Sequence, residues 1–218
     1  MIEDLTSTSF SSVTAGLGGI TLFSLAKAIN TNDNKKKISN ATAVLINSIA
    51  FIHYLRMRNL YDKSNKSADL VQVRYSDWFL TCPLLLFEFF ILMEWIKLDK
   101  NGKIKIDKEY SKELIICLIA TILMLTCGYL SEIMPKNKWR LFNLGFIFLG
   151  VLGLSLHKIH KEKLKNDANY SKLPKYPWYF IIIWVFYGLA YLSESRDLFY
   201  NILDLIAKGL FAFIIAVN

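Results

Sequence analysis

The stretch NILDLIAKGLFAFIIAV, residues 201–217, decides the fold. Read with the residues just before it, it forms a span from about 197 to 217, and a transmembrane helix needs roughly 20 mostly apolar residues. Yet Asp204 and Lys208 stand near its middle. An ionisable side chain at the centre of a membrane helix costs at least ~2.5 to 3.5 kcal/mol, so such residues are usually paired or functional. The two are spaced i and i+4 and share one face of the helix. Lys208 is too deep to snorkel to the interface. One reading is a buried ion pair kept for packing specificity. The other is chemical, because a lysine held in a dry pocket is the amine that forms a Schiff base with an aldehyde.

Working outward, six more apolar blocks precede this one, at approximately 9 to 30, 38 to 58, 70 to 95, 113 to 134, 138 to 157 and 176 to 194. Hydrophobic residues make up 54% of the 218 and aromatic ones 14%, gathered in blocks rather than spread at core spacing. The expectation is an all-α bundle of seven transmembrane helices, a single domain over 1–218 with no second one and no repeat of solenoid length.

The net charge of +8 suits a nucleic-acid partner only if it clusters on a soluble face, and here it lies in loops. The connections at 31–37, 97–112 and 158–175 carry three, six and six lysines. The opposite side carries eight basic residues (Arg56, Arg58, Lys63, Lys66, Lys136, Lys138, Arg140 and Arg196). The positive-inside rule then places the N-terminus outside and the C-terminus in the cytoplasm. MIEDLTSTSF at the start lacks the basic region of a cleaved signal peptide, so the first helix is expected to insert uncleaved. Cys82, Cys117 and Cys127 fall inside spans, which argues against a disulfide framework or a zinc site, and no metal is expected.

The third span adds Arg74, Asp77, Thr81 and Glu88, which recur at +3, +4 and +7 and so line one stripe of a helix. Any one of them is readily explained as a polar group satisfied across helices. All four together with Lys208 are not.

At this point the residues resemble a known family. RYSDWFLTCPLLLFEF, residues 74–89, is similar to the third-helix signature of microbial (type 1) rhodopsins, and DLIAK, residues 204–208, to their retinal-attachment segment. IAFIHYLRMR, MLTCG, Trp139 and WVFYGLAY follow the family in order along nearly the whole chain. Within the family the chain looks most like proteorhodopsins, and its compact, Lys-, Asn- and Ile-rich composition also suits a viral member.

The resemblance implies all-trans retinal bound covalently to Lys208 and a light-driven outward proton pump rather than an enzyme. Asp77 matches the proton acceptor, Glu88 the donor and Thr81 the intervening threonine. Arg74 and Asp204 complete the counterion group, and His53 matches a histidine that bonds to the acceptor carboxylate. Tyr75, Trp78, Leu85, Met124, Gly128, Trp184 and Tyr187 match positions lining the polyene, with Leu85 at the position of green-absorbing variants. Light would isomerise the retinal, Asp77 would take the proton, and Glu88 would resupply it from the cytoplasm. Glu194 is a candidate for release, against the plain alternative of a solvated helix end. Homo-oligomers, pentamers or hexamers, are also implied, with protons and the lipid bilayer as the other partners.

Two departures keep alternatives open. Gly188 stands where the family usually has a proline, which puts the pocket wall in question. Cys82 follows Thr81 as in channel-type members, but their acidic partner is replaced by Thr121. A light-gated cation channel, with Ser11, Asn47 and Asn201 as a polar path, is one competitor. A sensory photoreceptor is another, and a receptor or transporter without retinal is a third.

Overall fold

The seven apolar blocks form seven helices in a computed structural model that describes residues 2–64, 67–98, 103–106, 108–166 and 176–217. They are α1 (Ile2–Asn30), α2 (Asn34–Ser64), α3 (Ser67–Leu92), α4 (Lys108–Ile133), α5 (Lys138–Asn166), α6 (Tyr176–Tyr191) and α7. The last is α-helical over Arg196–Asp204, π-helical over Leu205–Leu210 and α-helical again over Phe211–Val217. Each helix packs on its sequence neighbours, and α7 returns to α1 and closes the ring. Lys66, Lys100, Lys172 and Lys175, which enter the charge count above, lie outside the described residues.

Six of the helices are long and apolar enough to cross a membrane, and the shorter apolar helix Trp178–Tyr191 is the seventh. Their outward faces carry Leu22, Ile29, Ile52, Ile147 and Leu154, all well exposed, as a lipid-facing surface requires. The helices overrun the apolar blocks, most visibly at α2 and at the lysine-rich end of α5. Hydropathy marks only the part in hydrocarbon, and lysine is a good helix former in water.

Two differences from the sequence reading have clear causes. The third helix stops at Leu92 instead of near 95, because Glu94 takes a left-handed φ of 57° and turns the chain back. That reversal buries Trp95 against Phe89 and Phe90 at ring separations of 5.5 and 5.8 Å. The connector that follows is partly a hairpin, β1 (Ile96–Leu98) paired antiparallel with β2 (Ile104–Ile106). Alternating Ile-Lys-Leu and Ile-Lys-Ile around Asn101-Gly102 is a hairpin signal that a count of lysines passes over.

The interior is unevenly furnished. Around the far end of α3, Leu86, Phe89, Phe90, Trp95, Leu114, Leu152, Leu156, Phe180 and Trp184 form a dense apolar cluster. Near its start the buried residues are Arg74, Asp77, Tyr54, Asp197, Asn201 and Asp204. The functional site sits between these two halves.

Candidate functional site

Lys208 lies in the π-helical turn with 2% of its surface exposed. A π-turn inserts an extra residue into the helix, a local feature found frequently at functional positions. Its Nζ contacts Asp77 Oδ2 from α3 and stands 3.2 Å from Asp204 Oδ2 one turn earlier on its own helix. All three side chains are buried. One cation therefore faces two carboxylates in low dielectric, where attraction between unit charges is far stronger than in water.

The two carboxylates are held differently. Asp204 accepts from Tyr54 Oη at 2.8 Å, Tyr187 Oη at 2.6 Å and Trp78 Nε1 at 3.1 Å. Three donors stabilise the ionised form and fix its orientation. Asp77 has its lysine contact through Oδ2, while its buried Oδ1 has no hydrogen-bond partner among the described residues. Of the pair, Asp77 is the carboxylate with an oxygen to spare.

Thr81 donates to the backbone oxygen of Asp77 at 2.9 Å, one turn back on the same helix, and leaves the carboxylate alone. His53 departs from the expectation. Its Nδ1 is bonded to Ile49 O at 2.8 Å within α2, and no hydrogen bond joins its ring to Asp77. The local backbone carbonyl four residues back is always within reach of a helical side chain, and here it wins over the cross-helix partner.

Arg74 is turned away from the lysine. Its Nη1 and Nη2 each lie 3.2 Å from Asn201 Oδ1, and Nη2 lies 3.3 Å from Asp197 Oδ1. Its link to the counterions runs through Tyr54 Oη, at 3.5 Å. Asn201 Nδ2 in turn donates to Ser9 Oγ at 2.8 Å, which closes the network onto α1. Sequence reasoning named Arg74 but missed Asp197 and Tyr54, and it set Asn201 on a polar path only under the competing channel reading. Asp in the first turn of a helix is ordinary, and only the fold brings it under Arg74.

Glu88 stands apart from all of this. It is 1% exposed, and neither of its carboxyl oxygens has a hydrogen-bond partner among the described residues. A carboxyl in that setting is stable as the neutral acid, since an unpaired buried charge carries a heavy desolvation penalty.

Beside Lys208 opens a cavity with about 800 Å³ of empty space, part of it open to the outside. Tyr75, Trp78, Leu85, Met124, Gly128, Trp184 and Tyr187 all line it together with Lys208. Helix α5 adds Phe142, Gly145, Phe146 and Leu149, which sequence reasoning did not name. Gly128 is there for space, because a Cβ would meet the Tyr75 hydroxyl at 2.8 Å. Gly188 likewise faces Phe146, whose ring would lie 2.3 Å from an added Cβ. The expected proline is thus replaced by a position that α5 fills with an aromatic ring.

These features define a class of protein: a closed seven-helix membrane bundle whose apolar cavity ends at a buried amine. The family model for bacteriorhodopsin-like proteins matches residues 4–217, and the chain belongs to that family, the microbial type 1 rhodopsins. It is 28% identical to the green-light absorbing proteorhodopsin of Gamma-proteobacterium EBAC31A08, over 98% of this chain and 86% of that one. It is 26% identical to the blue-light absorbing proteorhodopsin of Gamma-proteobacterium Hot 75m4, with the same 98% and 86% covered. Among solved structures it resembles the viral rhodopsin OLPVRII, with 24% identity, TM-score 0.78, and 98% and 96% of the two chains covered. Halorhodopsin, a light-driven chloride pump, shares the fold at 16% identity and TM-score 0.76, with 97% and 93% covered.

Proteins of this family bind retinal through a Schiff base to a lysine, and retinal is the cofactor here. The site suits the group. Its cavity is walled by aromatic and aliphatic side chains, relieved by Gly128 and Gly145, and ends at a primary amine.

Proposed function

We propose that this chain is a light-driven outward proton pump that carries retinal on Lys208, with Asp77 as proton acceptor and Glu88 as donor. The proteorhodopsin relatives support proton pumping. The observation that carries the residue assignment is the buried contact of Lys208 Nζ with a carboxylate whose second oxygen has no partner among the described residues.

Retinal bound at Lys208 supplies the light-driven change of shape that alters the surroundings of the nitrogen's proton. The remaining work belongs to the chain. Trp78, Trp184 and Tyr187, which line the cavity, would confine the polyene and keep water from the amine. Asp204, saturated by three donors, stays ionised and holds positive charge at Lys208. Asp77 Oδ2 receives the proton that leaves Nζ, and neutralising it removes one charge from a dry site. Glu88 lies eleven residues further along α3, about 16 Å at 1.5 Å per residue. It holds its proton until Nζ can take it back, with the apolar Leu85 and Leu86 on the stretch of α3 between Asp77 and Glu88.

Direction follows from the same asymmetry. With the lysine-rich connections in the cytoplasm, the N-terminus lies outside and α3 runs inward. The polar network from Tyr54 to Asp197 then faces outward, and the apolar cluster faces the cytoplasm. A proton on Asp77 has hydrogen-bonded groups toward the outside and a dry barrier on the other side.

The channel reading is weaker. It needs a continuous polar path, whereas Asn201 is committed to Arg74 and Ser9, and Asn47 donates back to Ala43 O at 2.8 Å. A chloride-pump reading needs an anion beside the lysine, and the Asp77 carboxylate fills that place. The single retinal-binding domain of 1–218 and a pentameric or hexameric homo-oligomer complete the proposal.

Voltage-clamped photocurrents from cells given retinal test it. A pump current stays outward across ordinary voltages. A current that reverses near an ion's equilibrium potential would replace the pump by a channel, and no current with a slow coloured cycle would replace it by a sensor.

A further inference from the structure

At the lysine-rich end of the bundle, the connection between α3 and α4 is built as a hairpin with two unlike faces. Its register sets Ile96 against Ile106 and Lys97 against Lys105. Side chains alternate along a strand, so the isoleucines at 96, 104 and 106 share one face and Lys97 and Lys105 share the other. Ile96 is buried in the core cluster that holds Trp95, Tyr110 and Leu114. From that point the apolar face runs outward and leaves Ile106 44% and Ile104 55% exposed, while Lys97, Lys103 and Lys105 are exposed as well. We infer that this hairpin is an interfacial anchor: Ile104 and Ile106 sit in the boundary between headgroups and acyl chains, and the lysines engage the phosphates of anionic phospholipids.

The helix that follows fixes the depth at which the hairpin lies. Lys108, Lys112, Ile115 and Ile119 fall on one stripe of α4, and all four are exposed. Ile115 and Ile119 belong to the surface that meets acyl chains. Lys112 and Lys108 stand one and two turns nearer the hairpin, where a lysine stem lies along lipid and its ammonium reaches the headgroups. Strand β2 ends at Ile106, two residues before Lys108, so the hairpin starts from headgroup level rather than out in water.

Charge identifies the lipid. Residues 97–112 hold six lysines against three carboxylates, Asp99, Asp107 and Glu109, whose side chains lie outside the described residues. The start of α2 extends the basic patch: Lys35 reaches Glu94, at the turn before β1, at 3.1 Å, and the exposed Lys36 and Lys37 follow it. Lysines beside a membrane attract anionic headgroups over roughly a Debye length. A neutral apolar partner would cover the isoleucines and leave the basic face without a counterpart. An acidic soluble protein would meet the lysines and leave Ile104 and Ile106 in water. A surface that is apolar beneath and anionic above matches both, and the bilayer around α4 is such a surface. Two strands of three residues are marginal in water, so a surface to lie on also steadies the hairpin.

The test places the full chain, loaded with retinal, in nanodiscs of phosphatidylcholine alone or mixed with anionic phosphatidylglycerol. Spin labels are attached at Ile104→Cys, Lys105→Cys and Ile106→Cys in turn, with the unmodified protein as the labelling background. Collisions with oxygen, which dissolves in lipid, and with a water-soluble nickel chelate are then compared at each position. With anionic lipid, positions 104 and 106 are expected to be oxygen-rich and position 105 nickel-rich. In phosphatidylcholine alone, or with Lys97→Gln and Lys103→Gln together, 104 and 106 shift toward nickel. Three nickel-rich positions in both lipids would put the hairpin in water and overturn the anchor. Positions 104 and 106 shielded from both reagents would mean a protein partner, a second copy included, and overturn it equally. An alternation that ignores both the lipid and the lysines would overturn the anionic assignment. Trypsin cleavage after Lys105 in the unlabelled chain gives a second reading: slower cleavage with anionic lipid supports the anchor, and equal rates overturn it. None of these measurements uses light, so their outcome and that of the pump reading are separate.

Discussion

Tyr187 gives its hydroxyl hydrogen to Asp204 Oδ1 across 2.6 Å, and this bond ties α6 to the turn that bears Lys208. Removing the hydroxyl leaves Asp204 with Tyr54 and Trp78 as its remaining donors. Tyr187→Phe is therefore expected to lower stability by about 1.5 to 3 kcal/mol, the usual loss for a buried hydrogen bond to a charged group. Thermal bleaching of the pigment measures it. Because Asp204 is then less firmly held as an anion, the visible band should also shift.

Lys208→Ala should abolish the covalent pigment outright. The cavity would still accept an apolar ligand, so the measurement is absorbance that survives denaturation and washing. Colour retained through a covalent bond would remove the attachment site from this lysine.

Asp77→Asn deletes the carboxylate with the free oxygen. Positive charge near Lys208 then has Asp204 alone opposite it and spreads further along the polyene, which lowers the excitation energy. A band at longer wavelength and loss of light-driven acidification are expected. Unchanged pumping by illuminated cells would move the acceptor elsewhere.

Glu88→Gln keeps the shape of the buried side chain and removes its exchangeable acid proton. Return of the proton to Lys208 must then come through the apolar cluster from water, so recovery should slow by about 10²-fold or more and follow the pH of the medium. Flash absorption across pH 5 to 8 reads both effects. Recovery as fast as before, and independent of pH, would place the donor at another residue.

Gly188→Ala sets a methyl group 2.3 Å from the Phe146 ring as the structure stands. Either the ring or α6 must move, and overpacking of this kind costs about 1 to 3 kcal/mol. The double variant with Phe146→Leu should recover most of the loss, as measured by thermal bleaching. A full loss that persists in the double variant would mean that the backbone at 188, rather than its contact with α5, sets the requirement.

What the sequence disclosed follows from how it encodes each feature. Seven helices were legible because hydrocarbon demands unbroken apolar runs, and Lys208, Asp77, Asp204 and Glu88 because charge inside such runs is conspicuous. The wall of the cavity was legible through family resemblance, since Tyr75, Met124 and Trp184 are otherwise ordinary packing residues. Asp197 was not, because an acidic residue in the first turn of a helix has a sufficient local explanation. Tyr54 stands one residue from His53, and the sequence drew notice to the histidine, but in the structure the tyrosine reaches the counterion. The π-turn left no mark either, as Leu-Ile-Ala-Lys-Gly-Leu reads equally well in an α-helix.

That turn sets how the tether responds to change. Within Leu205–Leu210 the backbone accommodates one residue more than an α-turn would. Shortening the segment between Asp204 and Lys208 by one position would restore ordinary winding and set the amine three residues rather than four after Asp204, so its place against the two carboxylates would change. Ile206 and Leu210, which face lipid, can be exchanged freely for other apolar side chains. The attachment point thus tolerates a new spelling of its outer face but not a new chain length, and indels rather than substitutions are what this helix cannot absorb.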